Sequence, residues 1–264
     1  MAQNGVKLIR KEPFCHVVMC KEPVNSMDGE FWQLLLDTLE QLEKDPTIRG
    51  VIFSSGLSRD VFTAGNDIKE LYGPLTTKAK FTRFWTAQTK FLARLYKTPL
   101  VTIAAIRGAC PAGGCIVSLN CDTRIMTDDP SSCIGLNEVA LGIAVPKYWV
   151  EVMATIVGKR CTQKLCLTAA MPKSREALAL GLVDEVVPKA DLLPAAEKAM
   201  KHLLRLPSSG YGVTKFALNG ALADAWEAQI PQEVETVYGI LNAEATVKAL
   251  GAVLQRLNNN KAKL

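Results

Sequence analysis

Residues 100–119 read LVTIAAIRGACPAGGCIVSL, an apolar segment of strand length followed by small residues and a second apolar run. The pattern predicts a strand over 100–106, a turn over 108–115 and the start of a helix after it. Small residues let backbone N–H groups approach a ligand closely, and the first turn of a helix carries N–H groups without partners. The turn is therefore either a ligand-binding loop or an ordinary strand-to-helix connection.

Strand-like and helix-like segments alternate through most of the chain. Short apolar segments predict strands at 14–20, 50–54, 99–106, 123–126 and 133–136. Apolar residues at helical spacing predict helices at 26–44 and 77–96, and later around 193–203 and 233–254 with a break at 207–210. From about residue 192 onward only helical patterns remain. The sequence predicts an α/β fold, with a core formed by residues 1–200 and a C-terminal helical region formed by residues 201–264.

The composition is that of a globular chain. The 264 residues are 48% hydrophobic and 22% charged, which suits one large domain with an appendage. The net charge of +5 is spread along the sequence without a block of Lys and Arg, so no nucleic-acid partner is expected. No apolar run approaches the roughly 20 residues that span a bilayer, and the first residues lack a signal-peptide pattern, so neither membrane insertion nor secretion is expected.

Several common types of site lack their residues. The eight cysteines form no C-x-x-C pair and there are only two histidines, so we expect reduced thiols and no metal site. Dinucleotide, nucleoside-triphosphate and hydrolase-elbow motifs are absent from the sequence. His16 falls in a predicted strand and His202 in a distal helix. Acid–base chemistry therefore falls to a carboxylate.

Glu138 is the one carboxylate in the apolar segment IGLNEVALGIAV, residues 134–145. Apolar surroundings disfavour the charged form, raise the pKa of a carboxyl group and make the carboxylate a stronger base. The alternative is a solvated surface group, as most single Glu residues are. A second small-residue turn, FTAGNDI at 62–68, also follows a strand. The two turns and Glu138 together predict an oxyanion hole, with two N–H donors aimed at one oxygen, beside a general base.

Five segments resemble, in order and spacing, the enoyl-CoA hydratase/isomerase (crotonase) superfamily. They are AGNDI (64–68), GACPAGGC (108–115), CD (121–122), IGLNE (134–138) and ALGLVDEVV (179–187). The similarity covers most of residues 6–190, and the segments at 108–115 and 134–138 look most like those of mitochondrial-type Δ3,Δ2-enoyl-CoA isomerases. The resemblance implies a spiral of ββα repeats, a C-terminal helical region that mediates trimer formation, and an acyl-CoA thioester ligand.

The resemblance also assigns roles to residues of the two turns. It implies that Asn66 and Gly113 donate their backbone N–H groups to the thioester carbonyl oxygen. Because a backbone donor tolerates different side chains, the Asn66 side chain is not expected to be special. Ala64 and Ile68 would contact the adenine end through the backbone. The substrate-binding turn implied in this way comprises Ala64, Gly65, Asn66, Asp67 and Ile68.

Hydratases of this superfamily use two glutamates to position and activate water. Here the first of those positions is Ile116, which is expected at the substrate, and the second is Glu138. A single base suits a 1,3-proton shift, in which Glu138 removes a proton from C2 of a 3-enoyl-CoA and returns it to C4. The sequence thus predicts a Δ3,Δ2-enoyl-CoA isomerase of fatty-acid β-oxidation. The alternatives are a hydratase or other crotonase-type CoA enzyme, and a non-catalytic, RNA-binding relative.

Assembly and location are expectations of the same kind. The resemblance implies a homotrimer or a dimer of trimers, and no cofactor other than the coenzyme A of the substrate itself. Ala262-Lys263-Leu264 resembles the S-K-L type of peroxisomal address that an import receptor reads. A peroxisome-like matrix is therefore predicted, with the mitochondrial matrix as the alternative because the family has mitochondrial members.

Overall fold

The computed structural model describes residues 5–261. Its strands are β1 Val6–Lys11, β2 Phe14–Met19, β3 Gly50–Ser55, β4 Val101–Ile106, β5 Ala109–Pro111, β6 Thr123–Thr127, β7 Cys133–Gly135 and β8 Glu185–Val187. Six of them form one sheet in the order β1-β2-β3-β4-β6-β8, and β5 pairs with β7 in a second, smaller sheet. Strands β1 and β2 are antiparallel, and the other pairs are parallel.

The helices surround these two sheets. They are α1 Gly29–Glu43, α2 Ile68–Leu71, α3 Lys78–Lys97, α4 Gly113–Leu119, α5 Lys147–Val157, α6 Lys159–Leu167, α7 Ser174–Leu180, α8 Leu192–Leu203, α9 Ser208–Ala228, α10 Ile230–Leu241 and α11 Glu244–Lys261. A 3-10 turn at Glu138–Leu141 connects β7 to α5. No single helix in the described part of the chain has the length and apolar composition to cross a membrane. Helices Ile230–Leu241 and Glu244–Asn259 reach that length and composition only when they are counted together, and they are bent by 74° to each other.

The chain repeats a strand, strand, helix unit. Strands β4 and β5 are followed by α4, and β6 and β7 are followed by α5. The second strands of these two units pair with each other, and Val61 extends the small sheet by bridging Ala109. The predicted α/β class and its ββα repeats are confirmed. This arrangement brings the ends of β5 and β7, where the predicted site residues follow, to one place.

The core follows from the apolar patterns. Strand β4 is buried along its whole length, as a parallel strand covered by helices on both faces must be. Helix α3 carries one long apolar stripe, and α1 packs against it. Every member of the stripe predicted from the sequence is buried: Phe81, Phe84, Trp85, Gln88, Leu92 and Leu95. The stripe is therefore core.

Two sequence predictions need correction in the C-terminal half. The helix predicted over 233–254 is two helices, α10 and α11, and Asn242 is the C-cap residue of α10. The predicted break at 207–210 is displaced toward the N-terminus, since α8 ends at Leu203 and α9 begins at Ser208. Pro207, with φ −59°, immediately precedes α9 and is already in a conformation suited to a helix start. The boundary predicted at residue 200, a position that lies within α8, stays a prediction.

Candidate active site

One cavity of about 750 Å³ collects most of the residues predicted to form the site. Its wall includes residues of the turn at 62–68, Ala112 just before α4, and Glu138. It also includes residues of α5, α10 and α11. The predicted residues on the wall are Ala64, Asn66, Asp67, Ile68 and Glu138. The other three, Gly65, Gly113 and Ile116, do not line it. A separate cavity of about 780 Å³ lies between Lys11 and α8 and contains no predicted site residue.

Glu138 is buried without a partner for its charge. It begins the 3-10 turn after β7, and its exposed fraction is 4%. Neither carboxylate oxygen has a hydrogen-bond partner within residues 5–261. Loss of solvent raises the pKa of Glu138 to about 7, with a smaller opposing effect from its own backbone N–H. The carboxyl group can therefore take and return a proton near neutral pH.

The other carboxylates on the cavity wall are accounted for. Asp28 caps α1 and Asp67 caps α2 by accepting backbone N–H groups. Glu233 accepts an indole N–H from α3 at 3.0 Å. Glu22 is exposed. Glu138 is thus the one buried and unpaired carboxylate among the described residues of this wall.

The Asn66 N–H group is free because of how its turn pairs with Met27. The Met27 N–H donates to the Gly65 carbonyl at 2.9 Å, and the Asp67 N–H donates to the Met27 carbonyl at 3.0 Å. In this parallel bridge the residue between the two hydrogen bonds turns its own N–H away from its neighbour. Gly113 is the first residue of α4, so its N–H has no acceptor within the helix. Two donors are left for another acceptor.

The two free donors belong to turns that are packed tightly together. A Cβ atom on Gly65, which has φ +82°, would lie 3.3 Å from the Gly113 nitrogen, and one on Gly113 would lie 3.4 Å from the Asn66 nitrogen. Ala112, just before Gly113, has φ 49° and ψ −115°, a conformation that residues with a side chain rarely adopt. Strained backbone of this kind clusters at ligand sites. The structure thus brings the two predicted donors close together, and their role as an oxyanion hole stays a prediction.

The Asn66 side chain is held at both ends by hydrogen bonds, whereas the resemblance assigned a role only to the backbone N–H group. Its Oδ1 accepts the Trp32 indole N–H at 2.9 Å, and its Nδ2 donates to Gln88 Oε1 at 2.7 Å. Trp32 and Gln88 are both fully buried. Sequence reasoning missed them because they are distant along the chain. The available signal was Gln88, the one amide on the otherwise apolar face of α3.

Ile116, which was expected at the substrate, is not among the residues that line the cavity, and its role there stays a prediction. It is fully buried in α4, one turn after the start of the helix, and belongs to the core.

The neighbourhood of Glu138 contains the thiols of Cys115 and Cys166. Burial raises the pKa values of both thiols, and the Glu138 charge raises them further. All eight cysteines are free. Among the residues that the structure describes, no group of three or more His, Cys, Asp or Glu side chains is placed to hold a metal ion.

The fold and the cavity define a protein built from ββα repeats, with one buried carboxylate facing its ligand space. The chain belongs to the enoyl-CoA hydratase/isomerase family, whose model matches residues 12–260. This confirms the resemblance stated from the sequence.

Relatives and solved structures agree with the family. The chain is 36% identical to the human protein named enoyl-CoA delta isomerase 1, mitochondrial, over 90% of this chain and 78% of that protein. It is 34% identical to the protein of the same name from Rattus norvegicus, over 98% and 89% of the two chains. The crystal structure of human mitochondrial Δ3,Δ2-enoyl-CoA isomerase superposes with a TM-score of 0.93 at 33% identity, covering 97% of this chain and 99% of that one. An enoyl-CoA hydratase from Bacillus halodurans shares the fold, with a TM-score of 0.85 at 23% identity and coverage of 94% and 99%. The crotonase-like fold is therefore confirmed.

Proposed function

We propose that this protein is a Δ3,Δ2-enoyl-CoA isomerase, which converts 3-enoyl-CoA thioesters into trans-2-enoyl-CoA in fatty-acid β-oxidation. The observation that carries the proposal is the buried carboxylate of Glu138, which has no hydrogen-bond partner among the described residues. Glu138 and Asn66 line the same cavity. Mammalian relatives named enoyl-CoA delta isomerase, at 34% to 36% identity, support the same activity.

The proposed reaction uses one base and two donors. The thioester carbonyl oxygen accepts the N–H groups of Asn66 and Gly113. Glu138 removes a proton from C2, and the electrons of that C–H bond form an enolate whose negative charge lies on the carbonyl oxygen. The enolate then forms the C2–C3 double bond as the former C3–C4 double bond takes the proton back from Glu138 at C4. Each donor to the developing charge stabilises it by about 3–4 kcal/mol in comparable holes.

Isomerisation is favoured over hydration by what surrounds the base. Addition of water requires a water molecule held in place, and hydratases of the superfamily use a second glutamate for it. The corresponding residue here is Ile116, which is fully buried and apolar. An apolar neighbourhood keeps the pKa of Glu138 high and offers water few partners.

The remaining cavity residues suit the coenzyme A part of the substrate. Ala64 and Ile68 lie on the wall, and we assign them the backbone contacts to the adenine. The lysines on the wall are Lys21, Lys69 and Lys147, and their positive charge suits the phosphate groups. Lys21 is already paired with Asp28 and Lys147 with Glu151, which leaves Lys69 as the stronger candidate.

The deciding experiment compares two substrates side by side. Purified protein is assayed on a 3-enoyl-CoA, by formation of the conjugated product, and on a trans-2-enoyl-CoA, by loss of conjugation. We expect fast turnover of the 3-enoyl-CoA and little of the trans-2-enoyl-CoA. The matched control, Glu138→Gln, should lower turnover of the 3-enoyl-CoA by about 10²- to 10⁴-fold. Faster hydration of the 2-enoyl substrate than isomerisation of the 3-enoyl substrate would establish the hydratase alternative. Turnover of neither would favour the non-catalytic relative.

Assembly, domain division and absence of a further cofactor remain predictions. A homotrimer or a dimer of trimers is supported by exposed apolar side chains on α9, namely Val213, Phe216 and Leu218, in the predicted helical region 201–264. Light scattering after size-exclusion chromatography measures the mass. A monomer at micromolar concentration would contradict the trimer.

Location also remains a prediction. Ala262-Lys263-Leu264, the proposed peroxisomal address, lies outside the described residues. The relatives above carry mitochondrial names, which supports the mitochondrial alternative for this chain. A fluorescent reporter fused to the last dozen residues, compared with one fused to the full chain, separates the two.

A further inference from the structure

The Asn66 amide links the proposed oxyanion hole to two buried side chains on different helices. Trp32 of α1 donates to its Oδ1 at 2.9 Å, and Gln88 of α3 accepts from its Nδ2 at 2.7 Å. The same Oδ1 would lie 3.3 Å from a Cβ on Gly113, so it also sits against the residue that carries the second donor. We infer that Trp32 and Gln88 are positioning residues for the oxyanion hole, acting through Asn66, an inference that rests on the proposed function.

A purely structural role explains this linkage poorly. Helices α1 and α3 already pack through apolar contacts such as Trp32 against Phe91, whose ring centroids are 5.7 Å apart. The amide of Gln88 is fully buried, and its Nε2 has no hydrogen-bond partner within the described residues. A buried polar group that is only half satisfied costs stability relative to an apolar residue of the same shape. The contact therefore suits a role in fixing the position of Asn66.

The mechanical consequence follows from where the amide lies. The Asn66 backbone N–H is one of the two donors, and its side chain is anchored on one side by α1 and α3 and abuts Gly113 on the other. Loss of either anchor lets the Asn66 turn move relative to α4. A donor displaced by a fraction of an ångström still meets the ground-state carbonyl but fits the developing oxyanion less well.

The test uses Gln88→Met, which keeps the shape and removes the acceptor, and Trp32→Phe, which removes the indole donor. We expect each to lower kcat about 10- to 100-fold, less than outright loss of a donor, with KM changed about twofold or less. Thr89→Val is the matched control, because Thr89 is the next residue on α3, is equally buried, and its hydroxyl has no hydrogen-bond partner in the described chain. Its kcat should equal that of the wild type. Thermal unfolding checks that each variant is folded.

A double-mutant cycle separates action through Asn66 from a general loss of packing. In an Asn66→Leu background the effect of Gln88→Met on kcat should disappear, because the group it acts through is gone. Additive losses in kcat, or equal losses in Gln88→Met and Thr89→Val, would overturn the inference.

A spectroscopic measurement keeps the outcome separate from that of the proposed isomerase activity. An acyl-CoA labelled with ¹³C at the thioester carbonyl is bound to each protein, and the infrared band of that carbonyl reports how strongly the hole polarises it. We expect a low-frequency shift in the wild type and in Thr89→Val, and a smaller shift in Gln88→Met and Trp32→Phe. If the wild type shifts the band but does not isomerise 3-enoyl-CoA, the proposed function fails and the positioning role stands. Equal bands in all four proteins would reject the positioning role.

Discussion

Replacing Glu138 by Gln should make the protein more stable at alkaline pH while removing its proposed activity. In the folded protein burial raises the pKa of this carboxyl group from 4.5 to about 7. The unfolded chain releases the proton near the ordinary value, so between these two pH values the folded state binds more protons than the unfolded state. A state that binds more protons is disfavoured as the pH rises. Glu138 therefore lowers the free energy of unfolding by an amount that grows between about pH 4.5 and pH 7 and stays constant above that range.

The size of the effect follows from the same shift. A pKa difference of one unit corresponds to about 1.4 kcal/mol, so the change from 4.5 to about 7 makes the ionised group cost roughly 3 kcal/mol. Gln has nearly the same shape and no charge to desolvate. The free energy of unfolding of Glu138→Gln should therefore exceed that of the wild type by roughly 3 kcal/mol above about pH 8, and by much less at about pH 5.

The assay is urea unfolding of both proteins at about pH 5 and about pH 8.5, at equal protein concentration. Contributions of all other titrating groups are common to both proteins and cancel in the comparison. Glu22→Gln is the matched control, because Glu22 is on the same cavity wall but exposed, and it should follow the wild type at both pH values. If Glu138→Gln and the wild type lost stability in parallel from the lower to the higher pH, Glu138 would not be a desolvated carboxyl group and the argument for its basicity would fail.

Three predictions concern activity. Glu138→Gln should lower kcat by about 10²- to 10⁴-fold. The kcat/KM of the wild type should rise with pH to a plateau above about pH 7, because the ionised form of Glu138 is the base. A flat profile from about pH 5 to 8 would contradict this assignment. Gly113→Val should lower kcat more than Asn66→Ala. A Cβ at Gly113 would lie 3.3 Å from Asn66 Oδ1 and 3.4 Å from the Asn66 backbone nitrogen. Steady-state kinetics showing the reverse order would contradict the proposed oxyanion hole. Ile116→Glu should weaken isomerisation and lower the thermal midpoint, because it places a charge at a fully buried position; wild-type isomerisation in a folded variant would show that an apolar residue is not required there.

Long periodic segments were the predictable part of the fold. Helix α3 and strand β4 were located from the sequence to within a residue or two, because one carries an apolar stripe over 20 residues and the other is buried along its whole length. The division of the C-terminal helix at Asn242 was not predictable from the apolar pattern. Periodicity continues through such a break and does not reveal it.

The candidate site divides in the same way. The apolar neighbours of Glu138 predicted its burial, and the structure has it buried, although its catalytic role remains a prediction. The links from Asn66 to Trp32 and Gln88 span 34 and 22 residues. No local pattern specifies contacts between a turn and two helices at such separations. Family resemblance predicted the backbone donors but carried no information about this side chain.

A single buried carboxylate is the arrangement that both stability and chemistry favour here. Glu138 alone costs roughly 3 kcal/mol when ionised, a large fraction of the 5–15 kcal/mol that typically separates folded from unfolded states. A second carboxylate at Ile116 would add its own desolvation and, if close to the first, would repel it and push one pKa still higher. It would also bring water beside a base whose proposed task is to return the same proton that it removed. The apolar Ile116 adds no second buried charge, and we predict that it also favours proton transfer over hydration.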